Sequence, residues 1–345
     1  MLNAKQNMQE VIRGGKPARF VNQYEALALL FHPAFMFGAG MPTKGGPDVV
    51  NGWGVTNSFP AHVPGMQPVH TPEKIVIKDI ERWSEYVKGP SLKFTDEQWG
   101  IAKGMWDAVD GSLAYKAAFI APGLFEQTHH LSEICNALIY YKTHPQEIKD
   151  LINYVMEWEL ELAEGICTHL KPDAIFHHDD WGTEISTFIC PDEFADFFVE
   201  PYKKIYKYYH DHGVELVIHH SDSYAATLVP HMIEMGIDIW QGCMWSNDVP
   251  ELIRKYGGKI SFMGGIDNKF IDFDGWTQED ARKAVRDVID ACGNEYFIPC
   301  ITQGGPGALY EGAYMALAEE IDKYSIEKFG ITEADIIRLP MNVMF

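Results

Sequence analysis

From about residue 115 onward the chain alternates apolar, β-prone runs with helical stretches, and this rhythm restricts the fold more than any other feature. Strand patterns cover residues 115–121, 173–178, 214–219, 237–241, 259–263 and 295–299. Helical patterns lie between and after them, over 126–141, 145–170, 191–212, 224–235, 249–256, 277–292 and 312–329. Strands joined by helical crossovers pair in parallel. These six strands, one near 20–24 and one of unclear position make eight. The expected fold class is therefore α/β, a (β/α)8 TIM barrel built by residues 1–345 as one domain. A short helix is expected over 9–19. Residues 36–72, rich in Gly and Pro and carrying Trp53, are too long for a simple connection and are expected to cover the barrel mouth.

Composition narrows the function. Apolar residues make up 46% of the chain, enough for a large core, yet no apolar run reaches the roughly 18 residues of a membrane span. The opening residues, Met1 to Asn7, lack the apolar region of a secretory signal. Six cysteines (135, 167, 190, 243, 292, 300) are scattered with no CxxC pair, which reads as reduced thiols and a cytoplasmic setting. A formal charge of −21 argues against a nucleic-acid partner and is otherwise accounted for by a solvated acidic surface.

In a TIM barrel the active site lies at the C-terminal ends of the strands. Those ends here are rich in polar chemistry: Asn22, Tyr24 and Glu25; His177, His178, Asp179, Asp180, Trp181 and Glu184; His219, His220 and Asp222; then Cys243, Asp267, Cys300, Thr302 and Gln303. None supplies Lys or Arg, so a metal is the natural counter-charge. His220, Cys300 and Glu184 are zinc-binding types beside different strand ends, and three ligands with an open position make a catalytic zinc site. Asp222 and Glu200 are further carboxylates. Pro201 could open the helix and turn Glu200 inward, or Glu200 could simply be solvated. The Asp179-Asp180 pair, with Trp181 as a flat wall, could hold a substrate hydroxyl or move a proton. Equally, Asp180 or Thr183 could cap the following turn. Two adjacent histidines can be packed residues, and Cys300 a core thiol. The Gly304–Gly307 run lacks the Lys-Ser or Lys-Thr of a phosphate loop.

Three segments, His220-Ser221-Asp222, Glu234-Met235-Gly236-Ile237-Asp238 and Gly264-Gly265-Ile266-Asp267, resemble the uroporphyrinogen decarboxylase superfamily between residues 173 and about 329. Further segments extend the likeness over the chain: Val11-Ile12-Arg13-Gly14-Gly15, Phe20-Val21-Asn22-Gln23-Tyr24-Glu25, Trp53-Gly54-Val55-Thr56, His219-His220-Ser221-Asp222-Ser223 and the run from Ile298 to Gly307. In these the chain resembles the zinc-dependent methyltransferase components of anaerobic aryl O-demethylases.

That resemblance implies a bound zinc ion, a separate corrinoid protein as partner, and a methoxylated aromatic of the vanillate, guaiacol or veratrole type as methyl donor. It implies a Glu/Glu/His ligand set, which Glu184, Glu200 and His220 fit best. Cys300 matches the later zinc cysteine of the methylcobamide:coenzyme M branch, while Asp222 replaces the cysteine of its His-x-Cys pair. On this reading Asp180 and His178 are catalytic, and Tyr24, Asn22, Trp181 and Gln303 bind substrate. Three alternatives stay open: a methylcobamide:thiol methyltransferase, a uroporphyrinogen decarboxylase-like lyase, and a non-catalytic metal or corrinoid carrier. The segment Asn22-Gln23-Tyr24-Glu25 holds no Arg cluster, which makes a poor host for a polyanionic porphyrinogen. A homodimer is compatible with the sequence.

Overall fold

The computed structural model of the protein describes residues 1–38, 40–63, 65–303 and 309–341. Its strands are β1 (Leu27–Leu30), β2 (Val49–Val50), β3 (Thr56–Ser58), β4 (Gln67–Pro68), β5 (Tyr115–Ile120), β6 (Ala174–His178), β7 (Leu216–His220), β8 (Ile239–Cys243), β9 (Ser261–Ile266) and β10 (Phe297–Ile301). A seven-stranded parallel sheet runs β1-β5-β6-β7-β8-β9-β10, with helices in the crossovers, and curls into a TIM barrel. Strands β7 to β10 are buried at every position, which is why apolar residues stand at consecutive positions in them instead of alternating with polar ones. The six strands expected after residue 115 are all present, each within two or three residues of its predicted limits.

The N-terminal expectations need correction. Residues 20–24 are not a strand; 20–22 are irregular, 23–26 form a turn, and β1 starts at Leu27. That turn closes the barrel. Gln23 N donates to Pro299 O at 3.2 Å, and Gln23 Oε1 accepts from Ile301 N at 3.2 Å. Gln23 adopts φ 51°, a left-handed conformation that these bonds hold in place. Because Pro299 O and Ile301 N both face Gln23, the N–H that Pro299 lacks also faces this seam, where no full strand waits to accept it.

The first helix is Ala4–Arg13 rather than 9–19. Asn3 and Gln6 form a capping box at its start, and Gly14 at φ 62° ends it. The helical stretch 126–141 is two helices, Leu124–Ser132 and Ile134–Thr143. Between them Glu133 takes φ 76° and caps the second through Cys135 N and Asn136 N. Inside 36–72 lies a small antiparallel sheet, β2-β3-β4, and this segment covers the barrel mouth as expected.

A buried ionic knot anchors the seam turn. Arg19 Nη1 bonds Glu25 Oε1, which also accepts from Asn22 N at 2.9 Å, while Glu25 Oε2 receives Arg338 Nη1 at 3.1 Å. Arg338 in turn pairs with Asp322. The N-terminal turn and the end of the chain are thereby tied to one carboxylate.

Candidate metal centre and cavity

Strand alternation decides what faces the barrel axis. Successive residues of an extended chain point to opposite sides, and β6 and β7 lie in register with His177 beside His219 and His178 beside His220. His178, Asp180, His220 and Asp222 turn inward; His177, Asp179, Trp181, His219 and Ser221 turn to the helix layer. The inner imidazoles stack with centroids 4.5 Å apart. His220 Nε2 lies 3.8 Å from Asp180 Oδ1 and 3.9 Å from Asp222 Oδ2, and Asp222 N donates to Asp180 Oδ1 at 3.1 Å. Gly242, at φ 88°, permits the close approach of β8: a Cβ there would meet Ser221 O at 2.9 Å.

Among the described residues, His178, Asp180 and His220 are the group whose ligand atoms lie within 4.8 Å of one another. Two ligands on a tetrahedral zinc sit about 3.3 Å apart, from metal–ligand distances of about 2 Å, so a small contraction seats an ion. The outer partners also suit it. His178 Nδ1 faces Glu126 Oε2 at 2.9 Å, and His220 Nδ1 bonds Gln241 Oε1. Each ring therefore keeps Nε2 for the centre, the arrangement that orients metal-bound histidines.

Charge is shared tightly here. Without an ion, burial alone would lower His178, but the carboxylates of Glu126, Asp180 and Asp222 reverse this and hold it up at about 10, and an ion at Nε2 would displace that proton. Burial pushes Glu126 up to about 7 against the pull of His178. Burial, aided by Asp180, raises Asp222 to about 8, while burial and then the neighbouring His178 lower His220 to about 4.

The outward residues form a separate buried network. Glu159 meets His177 Nε2 at 2.9 Å, and Tyr206 Oη joins His177 Nδ1 and His219 Nδ1 at 3.0 and 2.8 Å. Asp179 accepts from Phe125 N and Glu126 N at 3.0 and 2.7 Å. It caps the helix Leu124–Ser132 and places Glu126, while Thr183 caps the turn after Trp181 as expected, its Oγ1 accepting from Ile185 N and Ser186 N at 3.4 and 3.3 Å. Trp181 Nε1 donates to Asp179 at 2.9 Å, and its ring stacks on His219 at 4.0 Å. Strand parity thus puts Trp181 in the wall behind the site and not against a substrate.

The remaining predicted residues fall in different places. Glu184 is exposed on the turn after Trp181, and its carbonyl receives Ser246 Oγ. Pro201 does follow an opened helical turn, a π segment over Ala195–Val199, but Glu200 points outward, 70% exposed, to Lys203. Neither is brought to His220. Cys300 is fully buried against Tyr24 and Gln241, with its thiol pushed up by burial. Asn22 Nδ2 is committed to Ala318 O and Asp322 Oδ1 at 2.7 and 2.9 Å, which ties it to the last helix. Tyr24 lines the cavity, and Gln303 reaches Asp222. Glu126 and Gln241 were missed. Gln241 was legible as the predicted end of its strand, whereas Glu126, in a helix, had no local signal.

Above the centre opens a cavity of about 850 Å³. Phe35, Trp53, Phe94, Phe119, Trp158 and Phe176 contribute aromatic walls, and His178 and His220 lie at its polar end. Among the described residues that line it there is no lysine or arginine. Among the described residues no helix is long and apolar enough to cross a membrane.

His32, in this wall, supplies a pH prediction. Its Nε2 donates to Phe119 O at 3.1 Å and its Nδ1 accepts from Phe35 N at 3.4 Å, so the neutral ring is satisfied. Burial lowers it from 6.5 to about 4. The unfolded chain takes up this proton first, so the contribution is complete above pH 6.5 and is lost as pH falls towards 4. His32→Gln is expected to remove about 2–3 kcal/mol of the stability difference between pH 7 and 4.5. Urea midpoints at the two pH values test it; equal pH dependence in both proteins refutes the assignment.

Residues 127–301, just over half of the chain, match the family model described as uroporphyrinogen decarboxylase (URO-D). The chain belongs to the uroporphyrinogen decarboxylase family. No curated protein matches it significantly. Among solved structures, this URO-D family member is similar to a methyltransferase from Methanosarcina mazei, with TM-score 0.64 and 12% identity, covering 94% of this chain and 99% of that one. At that identity the likeness speaks for the fold. A B12-independent methionine synthase from Shewanella sp. W3-18-1, in complex with selenomethionine, matches with TM-score 0.44 and 17% identity over 73% of this chain and 75% of that chain.

Proposed function

We propose that the protein transfers a methyl group from a methoxylated aromatic to the Co(I) centre of a separate corrinoid protein. The observation that carries this reading is the convergence of His178, Asp180 and His220 at the polar end of an aromatic-walled cavity without lysine or arginine among its described lining. His178, Asp180 and His220 would hold a zinc ion, with Asp222 beside them. A zinc ion there supplies Lewis acidity that stabilises the developing phenolate, a poor leaving group. Glu126 and Gln241 hold the two imidazoles in the required tautomer. The aromatic walls bind the ring by stacking and exclude water. In the transfer the methyl–oxygen bond breaks with its electron pair left on the phenolate oxygen, the cobalt supplies the pair for the new carbon–cobalt bond, and the phenolate takes up a proton.

The alternatives fit less well. A porphyrinogen carries many carboxylates, which this cavity does not match with fixed cations. Thiol activation goes with sulfur-rich zinc, yet Asp222 stands at the cysteine position and Cys300 is engaged by Tyr24 and Gln241.

Elemental analysis of gently purified protein is expected to give about one zinc per chain, as a single site requires. The metal-loaded protein is then expected to demethylate 2-methoxyphenol only when a Co(I) corrinoid protein is present. No bound metal, and none taken up on adding zinc, would sink the mechanism.

A further inference from the structure

One polar group in the cavity wall has no role in the scheme above. Gln127 follows Glu126 on the helix Leu124–Ser132, is 2% exposed and lines the cavity. Its Nε2 has no hydrogen-bond partner among the described residues. Several other polar groups of the lining are already committed. Asn51 Oδ1 accepts from Trp53 N at 3.0 Å, Asn57 Nδ2 donates to Gly40 O at 3.4 Å, Trp158 Nε1 donates to Pro90 O at 2.8 Å, and both nitrogens of His32 are engaged. A buried amide donor left unpaired costs about 1–3 kcal/mol, and a few such groups in an apolar pocket are how a site fixes the orientation of its ligand.

Charge adds a second constraint. The acidic residues lining the cavity are Glu126 and Glu159, the first facing His178 and the second His177. No lysine or arginine among the described lining residues offsets a further negative charge.

We propose that Gln127 Nε2–H donates a hydrogen bond to a neutral oxygen on the substrate ring, so that the site selects uncharged arenes with an oxygen beside the methoxy group over carboxylated ones. This rests on the methoxyarene reading and deepens it from a broad class to a neutral, oxygen-bearing one. Gln127 is here a specificity-determining residue.

The test compares binding of 2-methoxyphenol, methoxybenzene and 4-hydroxy-3-methoxybenzoate to the full-length wild type and to Gln127→Met, by calorimetry or by quenching of Trp53 and Trp158, which line the cavity. The variant is expected to bind 2-methoxyphenol about five- to tenfold more weakly, as loss of one neutral hydrogen bond predicts, and methoxybenzene within about twofold. Wild type is expected to bind the benzoate at least about tenfold more weakly than 2-methoxyphenol, as an unpaired buried charge predicts. Ligand-free Gln127→Met is expected to be at least as stable as wild type, because an unsatisfied amide is removed. Equal losses for the two neutral ligands, benzoate binding as tight as 2-methoxyphenol, or a variant that fails to fold would each overturn the inference. If no arene binds wild type, the methoxyarene reading falls and this with it. If binding depends on Gln127 as stated but no methyl group reaches the corrinoid, this assignment stands and the transfer reading falls.

Discussion

His220→Ala is expected to lose metal and activity together while the fold survives. The imidazole carries one of the three converging ligand atoms, and losing even an outer partner of a metal ligand costs about 10–100-fold in affinity, so losing the ligand itself should exceed about 100-fold. Turnover should fall by about 1000-fold or more, since several kcal/mol of charge stabilisation in the transition state goes with the ion. The side chain is 8% exposed at the barrel rim; its ring bonds Gln241, faces Asp180 and Asp222, and stacks on His178 and Phe176, so truncation opens space at the polar end of the cavity. Its removal should therefore leave the near-UV spectrum native. Metal content by elemental analysis and methyl transfer from 2-methoxyphenol check the two halves; a variant with full metal and full turnover places the centre elsewhere.

Glu25→Ala is expected to cost about 3–5 kcal/mol of stability, the range for stripping one partner from a buried ion pair. Arg19 is 1% exposed and Glu25 fully buried, and Arg338 shares the same carboxylate. Without it a buried guanidinium loses its counter-charge, and Asn22 N loses its acceptor. Because Gln23 and Tyr24 lie in the same turn, the damage should reach the barrel seam and the cavity wall. Urea titration measures the loss. Arg19→Met combined with Glu25→Ala should be less destabilising than the sum of the two single changes, because the double variant leaves no orphaned charge. Strict additivity would mean that the pair is not coupled.

Much of this molecule is readable in its sequence. The apolar runs and the helices between them specify a parallel barrel, because a strand buried on both faces must be apolar throughout while its crossover helix carries one apolar stripe. The polar residues that end β6 and β7 mark the rim of the candidate centre, and His178, Asp180 and His220 lie at those ends. Alternation along the same residues also carries information about Trp181, which shares the parity of His177 and Asp179 and so faces outward.

What a single strand cannot carry is its partners. Glu126 reaches His178 because Asp179, 53 residues away, caps the helix that bears it, and nothing local to either residue announces the meeting. Gln241 meets His220 only through the register of β7 with β8. Glu184 and Glu200 have the right chemistry for a metal, yet the turn after Trp181 and the outer face of an opened helix carry them to solvent. The sequence by itself determined the architecture, the candidate rim and its residue types, since these follow from local periodicity. Only the tertiary structure decided which imidazoles converge, which carboxylates join them and which amide lacks a partner in the cavity wall, because those depend on distances between chain segments that periodicity does not encode.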